Sequence, residues 1–247
     1  MRFEICTLFP EFFHSFFTTG LVARAVDNGI LSYAIHNLRL HGEGRYRSVD
    51  DAPFGGGAGM LLKYDVIRKS LEATGERPVI HLTPRGRVLN TSMAKRLASL
   101  PGVTLLCGHY EGIDQRILDR AVGMEVSIGD YVLGGGETPA QVLIETIARH
   151  LPGFLTEASL EAESFESGLL EHDQFTRPRE ADGVPVPGVL VEGDPKRIAA
   201  WQRENALWRT WRRRPDLFAR QTLADCDFDA IHGKIVTHFS IRPQETP

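Results

Sequence analysis

Ser127-Ile128-Gly129-Asp130-Tyr131-Val132-Leu133-Gly134-Gly135-Gly136-Glu137-Thr138-Pro139 decides the fold class. A short apolar alternation (Met124, Val126, Ile128) runs into it, and an apolar periodic segment follows at Val142, Leu143, Ile144, Ile147 and Ala148. The first pattern predicts a strand and the second a helix. Glu137, Thr138 and Pro139 suit a helix's first turn, where a carboxylate meets the positive end of the dipole and proline lacks an N–H to waste. Glycine lets backbone groups approach a flat ligand closely. A strand, a glycine loop and a helix in that order form the nucleotide-type site of open α/β sheets. The same pattern also fits a tight turn with no ligand.

Upstream, the pattern repeats. Pro78–Leu82 reads as a strand ending in the turn cluster Thr83-Pro84-Arg85-Gly86, followed by a helix over Ser92–Leu100. Val103–Cys107 reads as a buried strand running into Gly108-His109-Tyr110-Glu111-Gly112-Ile113-Asp114, then a short helix over Ile113–Ala121. Loops 83–86, 108–112 and 128–136 would thus line one carboxyl edge of a parallel sheet, which favours the ligand pocket over the bare turn.

Nearer the start, Arg2–Phe9 predicts a strand, followed by a Phe-rich helix (Phe12, Phe13, Phe16, Phe17) ended by Gly20, a second helix over Leu21–Asn28 and a strand over Leu31–Leu40. Residues 41–59 form a long loop that combines Arg45 and Arg47 with Asp50, Asp51 and a glycine cluster. A loop of that length inside a domain is usually functional, and here a substrate-contacting role competes with simple solvated charge. Lys63–Ala73 predicts a helix.

The 247 residues are 42% hydrophobic, enough for one large domain or a medium domain with a smaller partner. Cys6, Cys107 and Cys226 stand far apart without metal-ligand spacing, which suits a reducing compartment. The chain starts on a strand rather than a basic and apolar leader, and no apolar run is long enough for a bilayer. The expectation is a cytoplasmic protein with no membrane partner. P-loop, G-x-G-x-x-G, G-x-S-x-G and H-E-x-x-H motifs are all absent.

Past Gly153 the charge separates. Over residues 154–194 acids outnumber bases ten to two, and over 195–220 bases outnumber acids eight to two. The acidic stretch lacks periodicity and reads as a linker. Ile198–Arg214 predicts a helix with Trp201, Trp208 and Trp211 on one side among arginines, either a packed helix with a solvated rim or a phosphate-contacting surface. A last helix carries Phe228, Ile231, Ile235 and Phe239, and the tail after Ile241 reads as loose.

Taken together, SVDDAPFGGGAGM (48–60), LTPRG (82–86), CGHYEGIDQR (107–116), SIGDYVLGGGETPA (127–140), ESFESGLL (163–170), FTRP (175–178) and WRRRPDL (211–217) resemble the bacterial tRNA (guanine-N1)-methyltransferases of the SPOUT class. The motifs stand in the family's order across most of the chain. The resemblance implies an α/β fold whose parallel sheet carries a deep trefoil knot, made by the second and third glycine loops, with a small, mainly helical C-terminal domain. It implies a SAM-binding domain over 1–153, an acidic linker over 154–178 and a tRNA-binding domain over 179–247. It also implies S-adenosyl-L-methionine (SAM) as methyl donor, Mg2+ held by carboxylates and substrate together, a tRNA substrate methylated at guanine 37, and a homodimer whose active sites lie at the subunit interface.

Carried over position by position, the SAM pocket takes Leu82, Thr83, Pro84 and Gly86 from the first loop, and Gly108, Tyr110, Glu111 and Gly112 from the second. The third gives Ile128, Gly129, Asp130, Tyr131, Val132, Leu133, Gly135, Gly136 and Pro139. Ile128 and Leu133 would sandwich the adenine. For catalysis the resemblance implies Arg149 as the cation and Glu163 as general base, where the family has aspartate. Glu171 or Asp173 could share that role, and Asp50 and Asp114 match family positions with either a functional or a structural meaning. His109 stands where some members have arginine, and 171–174 departs from the family's pattern.

Overall fold

The computed structural model describes residues 1–156 and 163–241, with side chains as far as Val236. Glu157, Glu161, the Phe239 side chain and the tail after Ile241 lie outside the described residues. Two units make up the chain, Met1–Thr156 and Glu157–Pro247.

In the first unit, β1 (Arg2–Thr7) is followed by a 3-10 turn (Pro10–Phe13), α1 (His14–Thr18), α2 (Gly20–Asp27) and β2 (Ser32–Asn37). Two short antiparallel strands, β3 (Asp50–Asp51) and β4 (Leu61–Leu62), precede α3 (Tyr64–Glu72). Then come β5 (Val79–Val88), α4 (Thr91–Ala98), β6 (Gly102–Cys107), α5 (Gln115–Ala121), β7 (Met124–Ser127) and α6 (Glu137–Ala148). The main sheet has the order β2-β1-β6-β5-β7, and every pair in it is parallel. Parallel strands need crossovers that cover both faces, so both faces of the central strand are buried. All of β6 is buried accordingly.

One apolar cluster packs Ile5, Leu105 and Val126 against Phe13, Phe17, Met93, Leu143, Ile144 and Ile147. The other packs Cys6 and Leu106 against Val66, Ile67, Ile117 and Leu118. Helices α1, α2, α4 and α6 thus cover one face, and α3 and α5 the other. Polar side chains set the helix starts: Asn90 Oδ1 accepts from Met93 N at 2.9 Å, and Asp114 Oδ1 accepts from Arg116 N at 3.0 Å.

Several local expectations change. The 83–86 cluster does not end its strand. It is a bulge inside β5, which pairs with β7 through Leu82↔Val126 and again through Arg87↔Val126 and Val88↔Ser127. Proline cannot donate to a ladder, so Pro84 is accommodated where the pairing skips. Gly20 opens α2 rather than merely ending the preceding helix. The strand expected over 31–40 stops at Asn37, whose side chain accepts from Arg39 N and starts a 3-10 turn at Leu38–His41. Phe154, assigned to the linker by its position, is 3% exposed in the core of the first unit.

The second unit has a small antiparallel pair, β8 (Glu180–Ala181) and β9 (Val184–Pro185), then α7 (Pro195–Arg213), α8 (Pro215–Phe218) and α9 (Asp225–Ile241). Asp194 caps α7 by accepting from Lys196 N at 2.9 Å. Leu169, Leu207 and Ile231 form its core, and Arg203 clamps Asp227 with bonds of 2.9 and 2.8 Å. The segment around 168–175, expected as linker, is docked on this unit's helices. Leu170 N donates to Thr210 Oγ1 at 2.9 Å, Asp173 N to Asn205 Oδ1 at 2.7 Å, and Gln221 Nε2 to Gly168 O at 3.0 Å. Aperiodic sequence hid this because the segment binds through its backbone. Trp208 and Trp211 stack at 5.1 Å, whereas Trp201 meets His172 and Phe175.

Candidate functional site

The C-terminal ends of the neighbouring strands β6, β5 and β7 open into a cavity of about 550 Å3, within the range of roughly 300–1,000 Å3 usual for small-molecule sites. The bulge of β5 forms one wall, residues 108–113 a second and residues 126–139 a third. Of the residues expected there, Leu82, Thr83, Pro84, Gly108, Tyr110, Glu111, Gly112, Ile128, Gly129, Tyr131, Val132, Leu133, Gly135, Gly136 and Pro139 line it.

Gly86 and Asp130 do not line the cavity. A Cβ on Gly86 would stand 2.4 Å from Val126 N, so this glycine lets the bulge close against β7 and shapes the wall from behind. Asp130 sits in the third loop without facing the cavity. His81, Arg85, His109, Gln115 and Ser127 also line it, though the sequence reading did not assign them to the pocket.

Each wall has its own anchor. Ser127 Oγ donates to Gly129 O at 3.0 Å and accepts from Gly129 N at 3.2 Å, holding the turn that leaves β7. Tyr131 Oη reaches Ile128 O at 3.2 Å. In the second loop Glu111 N donates to Met60 O at 3.0 Å and Leu62 N to Gly112 O at 2.9 Å, so the glycine-rich end of loop 41–59 backs the pocket. Gly136 N donates to Gly108 O at 2.9 Å and joins the second and third loops directly.

Behind them lies a buried polar chain. Glu137, 2% exposed at the start of α6, accepts from Thr7 Oγ1 at 2.6 Å and meets His109 Nε2 at 2.8 Å. Burial, reinforced by the Glu137 charge, pushes the Cys107 thiol well above its ordinary value and keeps it protonated. Tyr110, Tyr131, Val132 and Leu133 remain exposed around the cavity. Such a cluster of uncovered apolar side chains marks a surface that a ligand or partner covers.

Arg149 caps the C-terminus of α6 in the first unit, its N–H donating to Glu145 O at 3.1 Å. Glu163 is half-buried in the second unit, where its carbonyl accepts from Glu166 N at 3.3 Å. Asp173 is paired with Arg209 and accepts from Asn205 Nδ2 at 3.0 Å, and Glu171 is bonded by Gln174. Asp114 is committed to its helix: Arg116 holds it with bonds of 2.9 and 2.6 Å and keeps its carboxyl below the usual range. Asp50 lies on β3 opposite Leu62.

Among the described residues, no group of three or more His, Cys, Asp or Glu side chains is gathered to hold a metal ion. None of the described helices is long and apolar enough to cross a membrane.

A family model described as tRNA (Guanine-1)-methyltransferase TrmD matches residues 1–220. Similar proteins include the tRNA (guanine-N(1)-)-methyltransferase of Clostridioides difficile, 47% identical over 227 residues, covering 89% of this chain and 98% of that protein. The protein of the same name from Rhodospirillum rubrum is 44% identical over 237 residues, covering 95% of this chain and 99% of its own.

Proposed function

The chain belongs to the tRNA (guanine-1)-methyltransferase family, and from that premise we propose transfer of a methyl group from SAM to N1 of the guanine at tRNA position 37, next to the anticodon, giving 1-methylguanosine. Guanine-N1 methylation of tRNA with SAM is the family's activity and this enzyme's. Position 37 and the residue roles below are our reading. The observation that carries the reading is the cavity at the ends of β5, β6 and β7, whose glycine walls and apolar rim fit a nucleoside with a polar tail.

SAM, when bound, supplies an electrophilic methyl group. The chain must do the rest. N1 of neutral guanine carries a proton and is a poor nucleophile, so a carboxylate has to take that proton. Negative charge develops on O6 as it leaves, and a cation there lowers the barrier. Glu163 serves as the base and Arg149 as the cation on a base flipped out of its stack. Glu171 and Asp173, bonded by Gln174 and by Arg209 with Asn205, are the alternative carriers of the base role. Ile128 and Leu133 clamp the adenine, while Glu111 faces the methionine amine or the sulfonium.

The junction of the second and third loops, Gly136 N to Gly108 O, supports assigning the trefoil knot to them. The domain roles follow: SAM binding over 1–153, a connecting segment over 154–178 and tRNA binding by the helical 179–247, whose Trp208, Trp211 and Arg212 offer stacking and charge. Exposed Phe12 and Val142, beside the bond from Gln141 Nε2 to Phe12 O at 2.7 Å, support a homodimer that shares its active sites. We place the enzyme in the cytoplasm, with tRNA. Because the described residues gather no metal-binding cluster, the Mg2+ reading puts the ion on substrate and carboxylate together, and no step above runs through it.

The test is methyl transfer to a transcript with guanine at position 37 and to one with that base replaced. Methylation of the first alone, with 1-methylguanosine found by nucleoside mass spectrometry, is expected. Equal methylation of both would overturn the position.

A further inference from the structure

The chemistry above leaves one buried titratable group on the cavity wall unused. His81 is 4% exposed and lies on β5 between its register partners, Leu106 of β6 and Glu125 of β7. Its Nδ1 stands 3.2 Å from Glu125 Oε1. Arg85 Nη2, from the bulge, donates to the same oxygen at 3.4 Å and to Gln115 Oε1 of α5 at 3.4 Å. Glu125 is one-third exposed and keeps Arg85 as a second, cationic partner.

This arrangement sets the tautomer. A carboxylate only accepts, so Nδ1 carries the proton and Nε2 presents a bare lone pair in the neutral ring. Burial holds the ring neutral and Arg85 adds to that, against the opposing pull of Glu125; Leu106, on the β6 side, is apolar. Nε2 has no hydrogen-bond partner among the described residues. It faces Gly108, where a Cβ would stand 3.2 Å from it, and both residues line the cavity. Nε2 is not among the buried atoms closed off without a partner, so it opens on the cavity, where a ligand that displaces water has to supply a donor in its place.

We infer that His81 is a specificity-determining residue of the methyl-donor pocket, its Nε2 accepting a hydrogen bond from an N–H or O–H of the bound donor. This rests on the SAM reading above. The donor offers ribose hydroxyls, the adenine amino group and the methionine ammonium, and the unprotonated imidazole rejects a ligand that presents an acceptor there.

The test is calorimetric titration of the full-length protein with S-adenosylhomocysteine at about pH 8, well above the histidine range. His81→Phe keeps the ring and loses the acceptor, and should bind about tenfold more weakly, the scale of one neutral hydrogen bond. His81→Gln, which can return an acceptor oxygen at similar reach, should recover most of the loss. The 2′-deoxy, 3′-deoxy and N6,N6-dimethyl analogues identify the partner: the one lacking it should lose affinity in the wild type but not in His81→Phe. If all three lose nothing selectively, the ammonium is assigned, provided that the deaminated analogue shows the same selective loss.

As the pH falls and Nε2 gains a proton, wild-type affinity should fall by a factor that His81→Phe does not share. Equal affinity of His81→Phe and wild type, or identical analogue losses in both proteins, would overturn the inference while leaving the SAM reading intact. Failure of the wild type to bind S-adenosylhomocysteine would bring down both.

Discussion

His109 Nε2 stands 2.8 Å from Glu137 Oε2, and this bond ties the loop after β6 to the first turn of α6. Thr7 completes the chain from β1, so elements far apart in sequence meet behind one cavity wall. A carboxylate at a helix N-terminus, bonded on both oxygens, is stable in a site that would otherwise penalise its burial.

Gly135 lies against that pair. A Cβ there would stand 2.1 Å from His109 Nε2 and 2.5 Å from Glu137 Oε2, and neither side chain can swing away without losing its partner. Gly135→Ala should therefore weaken S-adenosylhomocysteine binding by about tenfold or more, a cost of the order of one broken buried hydrogen bond. Calorimetry checks this, and unchanged affinity would mean that the wall yields.

Glu137→Leu should cost about 1–3 kcal/mol of stability, because it leaves buried Thr7 and half-buried His109 without their acceptor. Urea denaturation measures it. A double variant that also replaces Thr7 with valine should lose less than the sum of the two single changes.

Glu163→Ala should lower the single-turnover methylation rate by about 100-fold or more and leave SAM affinity near wild type, as removal of a general base does. Arg149→Ala should do the same on the scale of one lost transition-state contact, again about 100-fold. If Glu163→Ala reacts at the normal rate in rapid quench, the base is elsewhere.

His81 predicts a pH signature in stability. Its folded pKa is lowered, mainly by burial, so the unfolded chain binds a proton that the native ring refuses. The resulting penalty is absent above the ordinary histidine value and grows as pH falls below about 6.5 toward the lower folded value, where it levels off. Urea midpoints of wild type and His81→Gln, compared between about pH 7.5 and pH 5, should diverge in that window. Parallel curves would show that the histidine is not neutral in the folded state.

Chelation tests the Mg2+ reading. Methyl transfer should fall on treatment with EDTA and return with Mg2+, while S-adenosylhomocysteine binding stays unchanged, because the described residues gather no metal cluster of their own. Loss of binding along with activity would put the ion in the donor pocket instead.

Local pattern made the helices and most strands legible, since Val66, Ile67 and Ser70 repeat at helical spacing and β6 is apolar but for Thr104. It also marked the three loops, because glycine in close backbone approach leaves a plain trace in sequence. Leu82–Gly86 was legible as special but not as a bulge, since the bulge exists only through β7 pairing on both sides of it. Asp114, which the motif left open between a functional and a structural meaning, caps α5 and is bound by Arg116, a contact that spacing alone does not reveal. His81 gave no signal: an isolated histidine in an apolar strand reads the same whether or not its second nitrogen meets a cavity.

The sequence by itself determined the α/β alternation, the order of the glycine loops and, through motifs kept in order, the family to which the chain belongs. These depend on spacing along the chain and on the intrinsic freedom of glycine and proline. Only the tertiary structure decided that Gly86 supports the pocket from behind, that Thr7, His109 and Glu137 share one buried chain, and that His81 presents a bare nitrogen to the cavity. Each of those depends on strands and loops separated by tens of residues coming within hydrogen-bond reach, and no local periodicity encodes that distance.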